Sequence, residues 1–341
     1  MPLYLRKVIS YSIVILFIVL IYVLYNEFFA PKPVDEKKDH KVIHLSNDSD
    51  YSKKIKTPSD IKLPSNTSSV SYGLQIYDSK GDFINRDYIN IEKDNPLHLF
   101  ASIINVSSQD DHVGLLVALD GEFQKFKVDG QKNQYIYHTE LKKLSNKNIP
   151  ITLDANGLSR YKRLDIVMIF YFNELPGIKK EYIDFYTNSI FFHINPDRTA
   201  DQQLRASELQ SGSSNIISLP DRFSGKIRGQ GVRALIDAED IQQTNLSQQN
   251  NVNFTDGHPL FFYSAGGKGK YASTIFLNNE PIAIDGKMTA YYELKDKELY
   301  AQKFNLSSQL SKGSYPLYCI TVPLDDSPFV FSSQKSVLVI Q

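Results

Sequence analysis

From Val8 to Asn26 the chain carries no charged side chain, and Glu27 closes the run. Roughly 20 apolar residues at about 1.5 Å of rise each match a bilayer core of about 30 Å. Tyr22, Tyr25 and Phe28 lie toward its far end, where aromatic rings suit the headgroup level. A cleaved leader would have a shorter apolar core and small residues before its cut. Here the candidate cut follows Ala30, with bulky Phe28 just upstream and Pro31 after it. The pattern predicts a retained transmembrane anchor over 8–29 behind a short cytoplasmic tail at 1–7. Arg6 and Lys7 precede the run, while Lys32, Lys37, Lys38 and Lys41 follow it, so the Lys/Arg balance alone does not set the orientation. The short tail favours N-inside, with everything downstream extracytoplasmic.

After the anchor the pattern turns polar. Residues 30–69 mix charges, prolines and serines with few large apolar side chains, too little to offset the entropy of ordering. This segment is expected to be a flexible tether. From about Val70 short apolar runs alternate with turns: "YGLQIYD", "YINIE", "PLHLFASIIN", "VGLLVALD", "FQKFKVD", "QYIYHTEL", "LDIVMIFYF" and "SIFFHIN". Lys80-Gly81-Asp82, Asp120-Gly121, Asp129-Gly130 and Asn156-Gly157 supply turn chemistry between them. Strands at this spacing predict an antiparallel β-sandwich over 70–196. "LDIVMIFYF" does not alternate. Its β-branched content favours a strand covered on both faces over a short buried helix.

A second polar stretch, 197–231, reads as a linker with a short helix near 200–209. The strand pattern then resumes from Val232 to the end and predicts a second sandwich over 232–341. The halves share fragments in the same order. "DNPLHLFASI" (94–103) resembles "GHPLFFYSAG" (257–266), "FKVDGQ" (126–131) resembles "IAIDGK" (282–287), and "SIFFHIN" (189–195) resembles "SVLVIQ" (336–341). Two related sandwiches should therefore show one strand order. The fold class expected is mainly β: one transmembrane helix followed by two immunoglobulin-like antiparallel β-sandwich domains.

Composition narrows the setting. Lys plus Arg and Asp plus Glu each number 38, so the net charge is zero, which disfavours a general nucleic-acid binder. Tyr (21) and Phe (20) are abundant and Trp is absent; aromatic and β-branched content favours strands. The single cysteine, Cys319, excludes an intramolecular disulfide and sits in the apolar run "YPLYCITV", where a small buried hydrophobe is the simplest reading. Lys, Asn, Ile and Tyr usage together with a disulfide-free ectodomain suggests a bacterial cell envelope.

Local chemistry is sparse. No His-Glu-x-x-His, Gly-x-Ser-x-Gly or Cys-x-x-Cys occurs. "SAGGKGKYAS" (264–273) suggests a phosphate loop, but Ser264 stands where the first glycine belongs and Tyr271 where the magnesium-binding hydroxyl belongs. Gly266, Gly267, Lys268, Gly269 and Lys270 are read instead as a mobile hairpin loop at a binding edge. Asp110, Asp111 and His112 are metal-ligand types, although a solvated hairpin turn accounts for them more simply. Asp78, Asp82 and Asp87 lack the alternating oxygens of a calcium loop. Arg222, Lys226, Arg228 and Arg233 form a candidate patch for phosphate-bearing wall polymer or anionic lipid.

No catalytic, cofactor or metal residues are assigned, and no cofactor is expected. The sequence predicts a non-catalytic, single-pass interaction or assembly protein of the envelope, contacting the bilayer through 8–29 and an envelope protein through sheet edges or end loops. The alternatives are a carbohydrate- or wall-polymer-binding module, whose best stacking residue Trp is missing, and a surface hydrolase with dispersed acids.

Overall fold

In the computed structural model the described residues are 40–44, 46–47, 55, 60–64, 72–92, 95–154, 157–170, 187–195, 215–223, 233–244, 251–255, 258–306, 310–326, 330–333 and 336–340. The expected anchor at 8–29 and the expected helix near 200–209 lie outside them. No helix among the described residues is long and apolar enough to cross a membrane. The chain is mainly β, with sheets that are chiefly antiparallel.

Short strands open the described chain: β1 (His40–His44), β2 (Ser46–Asn47) and β3 (Asp60–Pro64), of which β1 and β3 pair with each other. The first sandwich continues with β4 (Tyr72–Asp78), β5 (Tyr88–Ile89), β6 (Leu97–Asn105), β7 (Asp111–Leu119), β8 (Glu122–Gln124), β9 (Ile136–Leu141), β10 (Ser145–Leu153), β11 (Arg163–Ile169) and β12 (Thr187–Ile194). One sheet runs β2-β10-β6-β4. The other runs β5-β12-β11-β7-β8, with β9 also on β7. The short β5 lies parallel to β12, and β6 crosses to β7 in the opposite sheet. This is an immunoglobulin-like arrangement, in which strands one, two and five face the strands between and after them.

Parts of the segment expected to be a flexible tether fall among the described residues. β2 pairs in parallel with Ser145 and Asn146 of β10, and Ile55 is buried against Tyr77 and Phe100. A single apolar residue in a polar stretch is enough to dock that point of the chain on a sheet face.

The second sandwich comprises β13 (Ile216–Ser218), β14 (Arg233–Asp237), β15 (Asn251–Phe254), β16 (Leu260–Ala265), β17 (Gly269–Leu277), β18 (Glu280–Ile282), β19 (Ala290–Leu294), β20 (Glu298–Phe304), β21 (Gly313–Pro323), β22 (Phe331–Ser332) and β23 (Ser336–Ile340). Its sheets run β13-β20-β16-β14 and β15-β23-β21-β17-β18, with β19 on β17 and β22 on β21. The order of the main strands repeats that of the first sandwich, including a short strand, β15, parallel to the last one; β22 has no counterpart there, and β13 runs antiparallel to β20 where β2 runs parallel to β10. The shared fragments fall on equivalent strands, β6 with β16 and β12 with β23. β13 lies within the stretch read as linker, yet it belongs to the second sandwich because it pairs with Glu298–Tyr300.

The missing alternation in "LDIVMIFYF" now has a physical cause. Leu164, Ile166, Met168 and Phe170 enter the first core. Val167 and Ile169 point the other way and join Leu116, Ala118, Phe123 and Ile136 in a cluster with Phe276, Tyr318, Ile320, Val322 and Val330 of the second sandwich. Equivalent sheets of the two repeats thus pack face to face, giving four stacked layers. Each large side chain buried there contributes about 1.5–3 kcal/mol. Phe123 meets Phe276 edge-on at 5.3 Å between ring centroids.

Candidate functional site

Among the described residues, those singled out in the sequence do not assemble into one site. Lys226 and Arg228 lie outside the described residues. Arg233 opens β14 opposite Ala265. The Arg222 guanidinium stacks 4.6 Å above the Phe223 ring and donates to the Ile241 carbonyl, so it holds the local fold together.

The glycine-rich segment is not a hairpin, because β16 and β17 belong to opposite sheets and Gly266–Lys268 crosses between them. Tyr271 Oη donates to the Gly267 carbonyl at 2.8 Å, and Leu324 N–H donates to the Lys270 carbonyl at 2.8 Å. A side chain at Gly269 would meet Tyr271 Oη at 2.9 Å and Asp325 Oδ2 at 3.1 Å, so close approach explains the glycine. The crossing departs from the hairpin expectation because sheet membership is set by long-range pairing, which a local motif does not encode.

Asp110 is likewise used locally. Its carboxylate accepts from Lys143 N–H at 2.9 Å and from Lys142 Nζ at 3.2 Å, and these bonds lower its pKa, the backbone bond most. Asp78 caps its own turn through Lys80 N–H and Asp82 N–H. No group of three or more potential metal ligands occurs among the described residues. Cys319 takes the core position that Ile166 takes in the first sandwich, and burial pushes its thiol up to about 12. Around it, Tyr292 Oη bonds Ser264 and Ser273, and Ser273 bonds Thr321, each at 2.7 Å. These hydroxyls satisfy one another across the two sheets, as buried polar groups must.

What the sequence did not point to is a cavity at the end of the second sandwich. It measures about 430 Å³ and is lined by Leu277, Ile282, Ala283, Asp285, Gly286, Asn305, Leu306 and Leu310. The walls are aliphatic and the rim is polar. Asp285 is exposed at the turn and accepts from Gln302 Nε2 at 2.9 Å. Asp285 and Gly286 both have positive φ, 50° and 79°, conformations that Asp and Gly tolerate.

The first sandwich explains the cavity. Asp129 and Gly130 occupy the matching turn, with φ of 34° and 73°. Lys127 therefore matches Ala283. Leu153 pairs with Leu97 as Phe304 pairs with Leu260, so Thr152 matches Lys303 and Asp154 matches Asn305. In the first sandwich this seam is closed. Lys127 and Thr152 exchange backbone hydrogen bonds of 3.0 and 2.9 Å, Lys127 Nζ reaches Asp154 at 3.0 Å, and Phe126 is fully buried. Both turns also close on themselves, Gln131 N–H on the Val128 carbonyl in the first sandwich and Ile284 with Lys287 in the second, but in the second Ile282 is only half-buried. Ile284 stays buried in the second core and Asp285 stays bonded to Gln302 of β20, while Ala283 and Lys303 do not exchange the backbone bonds that Lys127 and Thr152 make, and the space beside them is open. Only the fragment pair "FKVDGQ" and "IAIDGK", with lysine in one and alanine in the other, carried any trace of this in the sequence.

Fold and site together define a tandem immunoglobulin-like sandwich protein with an acid-rimmed apolar cavity at one end. No family model matches the chain, and no curated protein matches it. Among solved structures, the C-terminal domain of the Streptococcus pyogenes antigen I/II-family protein AspA is similar over 79% of this chain and 99% of its own, at 7% identity and a TM-score of 0.21. The Streptococcus agalactiae antigen I/II polypeptide BspA C-terminal domain covers 79% of this chain and 100% of its own, at 8% identity and a TM-score of 0.21. The E. coli chaperone DraB covers 79% of this chain and 96% of its own, at 11% identity and a TM-score of 0.24. The fold assignment rests on the strand order of this chain itself.

Proposed function

We propose that this chain is a non-catalytic interaction or assembly protein of a bacterial cell envelope, held in the membrane by residues 8–29 with both sandwiches extracytoplasmic. The anchor reading rests on the uncharged run from Val8 to Asn26. The observation that carries the interaction reading is the difference between the repeats. One closes its end seam with its own chain, while the other leaves an apolar space of about 430 Å³, large enough for partner side chains. Polar groups in the second core are spent on bonds to each other, and the hydroxyl cluster around Tyr292 is fully enclosed.

In-cell crosslinking of the full chain, followed by identification of covalent partners, tests this reading. One envelope protein recovered in near-equal amount is the expected outcome. Recovery of glycan or wall polymer without such a protein would replace it with a polymer-binding module. A reporter fused after Gln341 that is active only in the cytosol would overturn the orientation.

A further inference from the structure

We infer that the open seam of the second sandwich accepts an extended segment of a partner protein, which adds as a strand beside β20, places an apolar side chain in the cavity and sets a lysine or arginine against Asp285. This deepens the proposed interaction function and depends on it.

The first sandwich is the template. There the seam is filled by polypeptide, with backbone bonds between Lys127 and Thr152, buried Phe126 and Val128 on the core side, and a lysine ammonium on the Asp154 carboxylate. In the second sandwich β13 covers the outer edge of β20 only along Glu298–Tyr300. Beyond that point, Ala301–Phe304 pair with β16 on the other side and have no strand partner on the outer edge among the described residues. Lys303, the counterpart of Thr152, then has backbone groups available to an incoming strand. Sheet edges recruit strands in this way because main-chain bonds supply the attraction and pockets select the side chains.

Lining chemistry selects the occupant. Leu277, Ile282, Leu306 and Leu310 favour an aliphatic or aromatic side chain, and the exposed Asp285 favours a cation beside it. Ala283 stands where the first sandwich has Lys127, and Asn305 stands where it has Asp154, so the carboxylate that meets a cation at this seam is Asp285 of the turn rather than the counterpart of Asp154. A partner segment alternating apolar and basic residues fills the apolar lining and meets the Asp285 carboxylate. Such a pattern also matches "QKFKVDG", residues 124–130, which closes the first seam.

The test is a titration of the full chain in detergent with synthetic heptapeptides. One is QKFKVDG, and others come from a library alternating apolar with basic or with acidic residues. The expected result is saturable binding of basic members, with acidic members excluded. Asp285→Asn keeps the turn and the Gln302 contact but removes the charge, and should weaken binding about threefold to fivefold, the worth of an exposed charge pair. Ala283→Trp, at an exposed position, fills the cavity and should abolish binding without lowering the melting temperature. The inference is overturned if no peptide in the library binds, if acidic members bind as well as basic ones, or if binding survives Ala283→Trp. An envelope protein still recovered by crosslinking in any of those cases would keep the interaction function and move its site elsewhere.

Discussion

Arg163 and Asp165 are the residues on which the contact between the sandwiches turns. Both point away from the first core toward the second sandwich. The Arg163 fork holds both Asp165 oxygens at 2.7–3.1 Å, its Nη1 donates to the Asp325 carbonyl, and its guanidinium lies 4.2 Å from the Phe191 ring centre. Burial pushes the Asp165 carboxyl up, and the Arg163 bonds pull against that shift. Removing the arginine leaves a fully buried carboxylate without its main partner, so Arg163→Met should cost about 3–5 kcal/mol at neutral pH. A raised folded-state pKa means that the folded protein holds the proton more tightly than the unfolded chain. Stability from that proton is present at acid pH and is lost as pH rises through the folded-state value. The deficit of Arg163→Met relative to the parent should therefore shrink as pH falls from 7 toward 4.5. Urea midpoints at both values read this directly, and an equal deficit at both would refute it.

At the scale of elements, the turns reveal where the repeats touch. Asp120-Gly121 joins β7 to β8 with φ of 52° and 84°, and Asn278-Asn279 joins β17 to β18 with 51° and 66°. Both are two-residue turns with positive φ, the kind that matches strand twist. Gly121 has a second duty, since a side chain there would collide with Ala272 of the second sandwich and press on Leu324. Gly130 has a similar φ of 73° but open space around it. Gly130→Ala should then cost only the left-handed strain of about 1–2 kcal/mol. Gly121→Ala should add an overpacking cost of about 1–3 kcal/mol. Denaturant midpoints of the pair check the difference, and equal losses would mean that the close approach at Gly121 is not maintained in solution.

For the whole molecule, the shared cluster predicts coupled stability. Leu116, Val167 and Ile169 on one side and Phe276, Ile320 and Val322 on the other lose water only when the repeats stay packed. Calorimetry of the parent should give one cooperative transition for both sandwiches. Val167→Asp places an unpaired charge in the cluster and should split that transition in two. Two transitions already present in the parent would refute coupling through this face. His193 Nε2 and Asp326 Oδ1, 3.6 Å apart at the edge of the same contact, add a polar rim to it.

The sequence by itself determined the class of structure, because strand patterns and turn residues are local. Alternation in "YGLQIYD", the Asp-Gly turns and the aromatic and β-branched content place strands and bends without knowledge of their partners. Matching fragments even predicted that the two halves share a strand order, and they do. Partner choice was decided only in three dimensions. Whether Gly266–Lys268 turns back or crosses to the other sheet depends on pairing between strands distant in the chain. Why "LDIVMIFYF" lacks polar alternation depends on a second sandwich covering its outer face. The cavity beside Asp285 was visible only after the two repeats were aligned in space, because an unmade contact between Ala283 and Lys303 leaves no residue pattern of its own.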